Sequence, residues 1–306
     1  GTVYAASGCK IIKENVLMEC DAPAGTGGGL AVVVDILGQK SEVSVATFDY
    51  HVPMLTRVSG TGVNEAATRG GQEIRLIGNF FGPGGNSDVG MELVYHYTTY
   101  KSVVIDMNTT IQKIDKINKF MATGCSWRSQ TLIVCSSSEG YGVGMSYSVS
   151  VDGQASTLLP TNSSYAAPSI YSVTKLNGSP LHDANTKGGE RVWIQGSNFG
   201  PATQGNVVIA QYKNDQNVSF TAVNCDIHES HSDIYCTSAP GVGAAHAWRV
   251  EIGGQISRQP TTSYRRPVVS AVVREWDLTV NRMPPTDTDT LPPTTKMTTR
   301  GGESVY

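Results

Sequence analysis

Charge is scarce in this sequence: 23 Lys and Arg with 26 Asp and Glu make up 16% of its 306 residues, against roughly 25% in an ordinary soluble protein. The formal net charge is −3, so the basic face that phosphate backbones require is lacking, and Arg265-Arg266 is the one basic pair of note. A nucleic-acid partner is therefore not expected. A long apolar run is missing too. The best stretch, Leu30 to Leu37, carries Asp35 and falls far short of the ~18 apolar residues of a membrane span. There is no initiator Met and no signal-peptide pattern, so the chain reads as processed or excerpted.

Catalytic constellations are also lacking. Gly140-Tyr-Gly-Val-Gly144 is glycine-rich but runs into an alternating strand instead of opening a helix, which argues against a phosphate-cradling loop. There is no Gly-x-Ser-x-Gly elbow and no Ser/His/Asp or Cys/His set. His228 and His231 lie near Asp226, Glu229 and Asp233, a composition that suits a metal, yet between Cys225 and Cys236 they read as an exposed polar turn. Trp127, Trp193, Trp248 and Trp276 read as core residues, with Trp248, beside Arg249, open to a surface-strand reading. The expectation is a protein that is not an enzyme, with no catalytic, cofactor-binding or metal-binding residues.

What is abundant is glycine, 33 residues, about half again the usual ~7%, and repetition. Ala67-Thr-Arg-Gly-Gly-Gln-Glu-Ile-Arg-Leu-Ile-Gly-Asn-Phe-Phe-Gly-Pro83 recurs as Asn185-Thr-Lys-Gly-Gly-Glu-Arg-Val-Trp-Ile-Gln-Gly-Ser-Asn-Phe-Gly-Pro201, and a third copy begins at Thr299-Arg-Gly-Gly-Glu-Ser-Val-Tyr306. Each repeat carries a Cys pair (Cys9/Cys20, Cys125/Cys135, Cys225/Cys236) and then a strand ending in Gly-Gln-x-Ser at Gly38, Gly153 and Gly254. Each closes with Tyr-x-x-Pro at Tyr50, Tyr165 and Tyr264. Glu190–Gln195, Ser146–Val151 and Ala247–Ile252 alternate polar with apolar and are bounded by turn residues, the pattern of half-buried strands. Short strands at this spacing predict β-sandwiches. Two complete units follow, 54–168 and 169–267, flanked by the back half of a unit at 1–53, whose expected strands include Leu30 to Leu37 and Glu42 to Phe48, and the front portion of another at 268–306.

These residues resemble the IPT/TIG family of immunoglobulin-like domains, found in plexins, growth-factor receptor ectodomains, fibrocystin-like surface proteins and some transcription factors. The best copy carries the likeness at Gly188-Gly189, Val192, Ile194, Gly196, Asn198-Phe199-Gly200, Cys225, Cys236, Ala239-Pro240-Gly241 and Tyr264. The middle copy does so at Gly70-Gly71, Ile74, Leu76, Gly78, Phe80, Gly82, Cys125 and Cys135, with Asn79 one place early. The fold class implied is all-β, tandem immunoglobulin-like sandwiches. The family hosts adhesion, signalling and DNA binding alike, so the resemblance does not fix a function. The middle unit is longer between Gly71 and Cys125 than the last is between Gly189 and Cys225. Within that insert Ile111, Ile114, Ile117 and Met121, following Asn108-Thr109-Thr110, predict a short capped amphipathic helix that covers its own core or meets a neighbouring subunit.

The Cys pairs, at one place in each repeat and ten or eleven residues apart, read as three local disulfides; a zinc site competes, but Cys-x-x-Cys spacing is absent. Disulfides imply an oxidising compartment. Sequons at Asn108, Asn162, Asn177 and Asn217 agree with a secreted or cell-surface glycoprotein, Asn177 being the poorest acceptor because Pro180 follows Ser179. Met283–Thr299 is built of Pro and Thr and reads either as a flexible linker or as an O-glycosylated spacer. In the second case Thr286, Thr288, Thr290, Thr294 and Thr295 carry sugar, joined by Pro284, Pro285, Pro292 and Pro293 if proline is hydroxylated.

The expected role is a structural subunit of an extracellular glycosylated filament or appendage; the alternative is a set of stalk repeats in a receptor or adhesion ectodomain. The expected partners are copies of the same chain, joined head to tail, and carbohydrate as covalent glycan. In that assembly Gly301, Gly302, Val305 and Tyr306 begin the strand that residues 1–53 lack. Neither end supplies the middle of that unit, so an excerpt cut from a longer tandem chain explains the ends equally well.

Overall fold

The computed structural model describes residues 3–84, 90–106, 109–203, 207–257, 261–262, 264 and 267–268. Gly1–Tyr264 is one compact unit and Arg265–Tyr306 a second. Almost all of the second lies outside the described residues, and with it Trp276, the Thr and Pro positions of 283–299, Gly301, Gly302, Val305 and Tyr306; so does Asn108.

Every regular element among the described residues is a strand. The first third carries β1 (Ser7–Lys13), β2 (Leu17–Asp21), β3 (Leu30–Ala31), β4 (Asp35–Ile36), β5 (Gln39–Lys40) and β6 (Thr47–Phe48). The middle third carries β7 (Met54–Ser59), β8 (Glu73–Asn79), β9 (Met91–Asp106), β10 (Thr109–Met121), β11 (Thr123–Ser129), β12 (Leu132–Ser136), β13 (Ser146–Val151), β14 (Gln154–Ala155) and β15 (Leu159–Pro160). The last carries β16 (Ser169–Lys175), β17 (Arg191–Ser197), β18 (Val208–Lys213), β19 (Ser219–Thr221), β20 (Val223–Glu229), β21 (Asp233–Thr237), β22 (His246–Ile252), β23 (Gln255–Ile256) and β24 (Thr261–Thr262).

In the middle third one sheet runs β11-β12-β8-β7 and a second β10-β9-β13-β14, with β15 also on β13. The last third repeats this strand for strand, as β20-β21-β17-β16 and β19-β18-β22-β23 with β24 on β22. The alternation read from the sequence is the reason: Tyr147, Val149 and Val151 of β13 point inward with Ile74, Leu76 and Ile133 from the other sheet, while the serines between them stay partly wet. Trp248, Val250 and Ile252 of β22 take the same places, so Trp248 is a core residue and not a surface one.

Three expectations need correction. The insert is not a helix: Thr109–Met121 is strand β10, paired along its length with β9. Thr109, Thr110, Ile111, Ile114 and Ile117 are β-branched, which costs rotamer freedom in a helix and suits a pleated surface. The extra residues lengthen the hairpin whose short counterpart is β18-β19. Its inward positions are Asn118 and Phe120, with Ile117 and Met121 exposed. Second, the core phenylalanine equivalent to Phe199 is Phe81, fully buried; Phe80, half exposed, takes the left-handed place of Asn198 (φ 63° and 61°).

Third, Leu30–Leu37 and Glu42–Phe48 of the first third are not long strands but the short pieces β3, β4 and β6. The β1-β2 hairpin corresponds to β11-β12 and β20-β21, yet nothing in residues 1–53 corresponds to β7, β8 or β9. Without the β9 counterpart, the strand that should resemble β13 has no partner on one edge and breaks. Its inner face is bare. Ile11 is 65% exposed where its counterparts Trp127 and Ile227 are 7% and 9% exposed, and Val32 and Ile36 are exposed where Tyr147, Val151, Trp248 and Ile252 are sealed.

Candidate functional site

The most elaborate chemistry of the chain lies where one repeat ends and the next begins. Each closing tyrosine folds back on its own repeat: Tyr50, Tyr165 and Tyr264 donate through their hydroxyls to the carbonyls of Pro23, Ser138 and Ala239, at 2.6, 2.9 and 2.7 Å. Their rings lie over Gly25, Gly140 and Gly241, where any Cβ would collide with the ring. An aromatic five residues before the first Cys, namely Tyr4, Phe120 or Phe220, meets each ring edge-on at 5.6, 5.6 and 5.9 Å. Burial pushes the hydroxyls of Tyr165 and Tyr264 far above the ordinary phenol value, so both remain protonated donors.

With their side chains turned inward, Tyr50 and Tyr165 offer their backbone carbonyls to the following repeat. Gln154 Nε2 donates to Tyr50 O at 3.1 Å, and Gln255 Nε2 donates to Tyr165 O at 2.7 Å. These are the glutamines of the Gly-Gln-x-Ser landmark. Around them, Thr26 Oγ1 reaches Asp152 Oδ2 at 3.5 Å in the first junction, and His51 lies against Phe80 at 4.7 Å. In the second, Tyr141 packs on Gly200 and Gly253, and Asn198 Nδ2 donates to Ala167 O at 3.1 Å.

His231 belongs to this second junction. It is buried, not the exposed turn its surroundings in the sequence implied: Nδ1 lies 3.0 Å from Thr68 Oγ1 and Nε2 3.5 Å from Glu139 Oε2. Burial, assisted by the positive charge of Arg69 and opposed by Glu139, lowers its pKa below 6.5. The unfolded chain therefore binds the proton first, and stability is lost as pH falls below the ordinary histidine range. The unfolding midpoint should drop between about pH 7 and pH 5, and His231→Gln should flatten that slope; an unchanged slope would show that His231 does not carry it. His228 instead stacks on Tyr235 at 4.3 Å. Among the described residues no three His, Cys, Asp or Glu side chains gather in a metal-binding cluster.

The other expected residues fall as follows. Cys9–Cys20, Cys125–Cys135 and Cys225–Cys236 are disulfides, each within its own hairpin, which is the cysteine usage of a protein matured in an oxidising compartment. Asn162, Asn177 and Asn217 are exposed, and Asn177 Oδ1 is engaged by the amide and hydroxyl of Ser179. The composition did not point to His231, Thr68 and Glu139 as a group, because they are far apart in sequence. The glutamines had a signal: Gln39, Gln154 and Gln255 each lie 19 residues after the second Cys of their repeat.

Residues 168–264 match the model of the IPT/TIG domain. The chain contains an IPT/TIG domain. Its sheet pair β16–β24 is the structural expression of that match. Among solved structures the chain is similar to SGBP-B from a complex xyloglucan utilization locus in Bacteroides uniformis, at 16% identity and a TM-score of 0.25, covering 74% of this chain and 52% of that one, about half its length. No curated protein matches.

Proposed function

We propose that the chain is a non-enzymatic structural subunit of an extracellular glycosylated filament or appendage. In this reading residues 54–168 are a second IPT/TIG-like sandwich, and copies join head to tail by strand complementation. One observation carries it: residues 1–53 form half of a sandwich whose inner face is bare at Ile11, Val32 and Ile36, positions that the other two repeats seal. An apolar face flanked by unpaired strand edges recruits a further strand, and Gly301-Gly302-Glu-Ser-Val305-Tyr306 repeats the start of the strand it lacks. Ile74 sits opposite Cys135, and Val192 opposite Cys236; the same register sets Val305 opposite Cys20 of a receiving copy. Donor and acceptor are different surfaces, so the contact is heterologous and propagates. Exposed Asn162 and Asn217, together with Thr and Pro in 283–299, supply the glycan sites.

Negative-stain microscopy of the native protein tests this reading. Regular fibrils are expected. Isolated rods would support the stalk of an adhesion or receptor ectodomain instead.

A further inference from the structure

Both junctions within the chain are built from the same positions, and a third pair of faces with that construction has no partner among the described residues. On the outgoing side, the amides of Tyr50, Tyr165 and Tyr264 donate to the carbonyls of Gly27, Gly142 and Gly243 at 2.9, 3.0 and 2.9 Å, so all three tyrosine peptides are held in one attitude. The residue before each of these glycines is Thr26, Tyr141 or Val242. Thr26 and Tyr141 are 4% and 6% exposed because the next repeat covers them, whereas Val242 is 63% exposed.

On the incoming side stands a two-residue hairpin turn just before the glutamine: Asp152-Gly153, Gly253-Gly254 and, in the first repeat, Leu37-Gly38. All six residues have positive φ, between 49° and 87°, the backbone of a turn that selects Asn, Asp or Gly at its first place. Asp152 and Gly253 sit against Gly27 and Gly142. Leu37 holds the same left-handed conformation (φ 53°) while fully exposed. A leucine there is strained and wet, and nothing among its described neighbours offsets either cost. Gln39, the counterpart of Gln154 and Gln255, makes no side-chain hydrogen bond among the described residues.

We infer that Leu37 and Gln39 of one copy dock on Val242, Gly243 and the Tyr264 carbonyl of another, forming the same junction between chains that the two internal junctions form within one. The contacting pairs say which faces belong together. Thr26 meets Asp152 through a polar contact and bulky Tyr141 meets Gly253, which has no side chain; Leu37, large and apolar, matches Val242 and neither of the other two. Gln39 Nε2 then donates to Tyr264 O. The inference rests on the head-to-tail reading above and names a second contact of that assembly, separate from the donated strand.

Thiol-directed crosslinking of the full chain tests it, since all six native cysteines are paired. Leu37→Cys protein is mixed with Val242→Cys protein and treated with a short bis-maleimide. Thr26→Cys/Asp152→Cys, which joins an internal junction, is the positive control. The pairing of Leu37→Cys with Tyr171→Cys, an exposed residue on β16, is the background. At micromolar protein the docked pair should link on the order of 100-fold faster than background, because docking raises the local thiol concentration toward roughly millimolar, and the doubly substituted chain should give a ladder of oligomers. Adding Gln39→Ala should slow the reaction. Crosslinking at the background rate while the positive control reacts would overturn the docking. Fibrils seen by microscopy without this crosslink would overturn it and leave the filament standing; the crosslink without fibrils would support the docking and remove the filament.

Discussion

Trp248→Ala should cost the IPT/TIG sandwich about 3–5 kcal/mol, the range for removing a large aromatic from a core. Trp248 is 1% exposed and stacks on Tyr212 at 4.2 Å in the core between two sheets. Tyr212 is also the hydroxyl partner of Tyr264 at 2.6 Å, so the cavity opens beside the closing tyrosine. In a domain of this size the loss corresponds to a fall in unfolding temperature on the order of 15 °C or more. Trp193→Ala is the comparison: Trp193 is half-buried and its Nε1 donates to Asp233 Oδ1 at 2.6 Å, so its loss should cost clearly less. Calorimetry of the two variants checks the ranking, and equal costs would contradict the assignment of Trp248 to the core.

Deleting residues 268–306 should abolish fibres while leaving β7–β24 folded. Among the described residues the buried side chains of the complete sheet pairs, from Leu55 to Tyr264, all belong to the first compact unit. The first repeat has no such closure. Its β1-β2 hairpin is held by Cys9–Cys20, worth roughly 2–3 kcal/mol for so short a loop, so the hairpin should persist although its apolar face is exposed. Microscopy and melting together read the outcome. Fibres from the truncated chain would contradict strand donation, and a lower melting temperature of the complete sandwiches would show that the tail belongs to their cores.

Much of this was legible in the sequence because the informative signals are local. Alternation over Ser146–Val151 and Ala247–Ile252 fixes which face is buried, and a Cys pair ten or eleven residues apart is a hairpin's own property. Ile111, Ile114, Ile117 and Met121 misled because a three- or four-residue spacing arises on a strand when apolar residues fall on both faces; the β-branched composition was the better guide. Phe80 and Phe81 differ by one place, and only the backbone tells which enters the core. The junctions stayed hidden for another reason: Thr68 and His231, or Tyr50 and Gln154, are joined by the placement of whole sheets. No periodicity records that.

Amide hydrogen exchange over residues 7–48, compared between assembled full-length chain and the chain lacking 268–306, tests the central claim most directly. Backbone groups of β2 that face no strand among the described residues should become slow to exchange only in the assembled full-length protein, since a strand donated in the register of β8 on β12 supplies their missing partners. Equal, fast exchange in both samples would contradict the claim that these half-sandwiches are completed by a neighbouring copy.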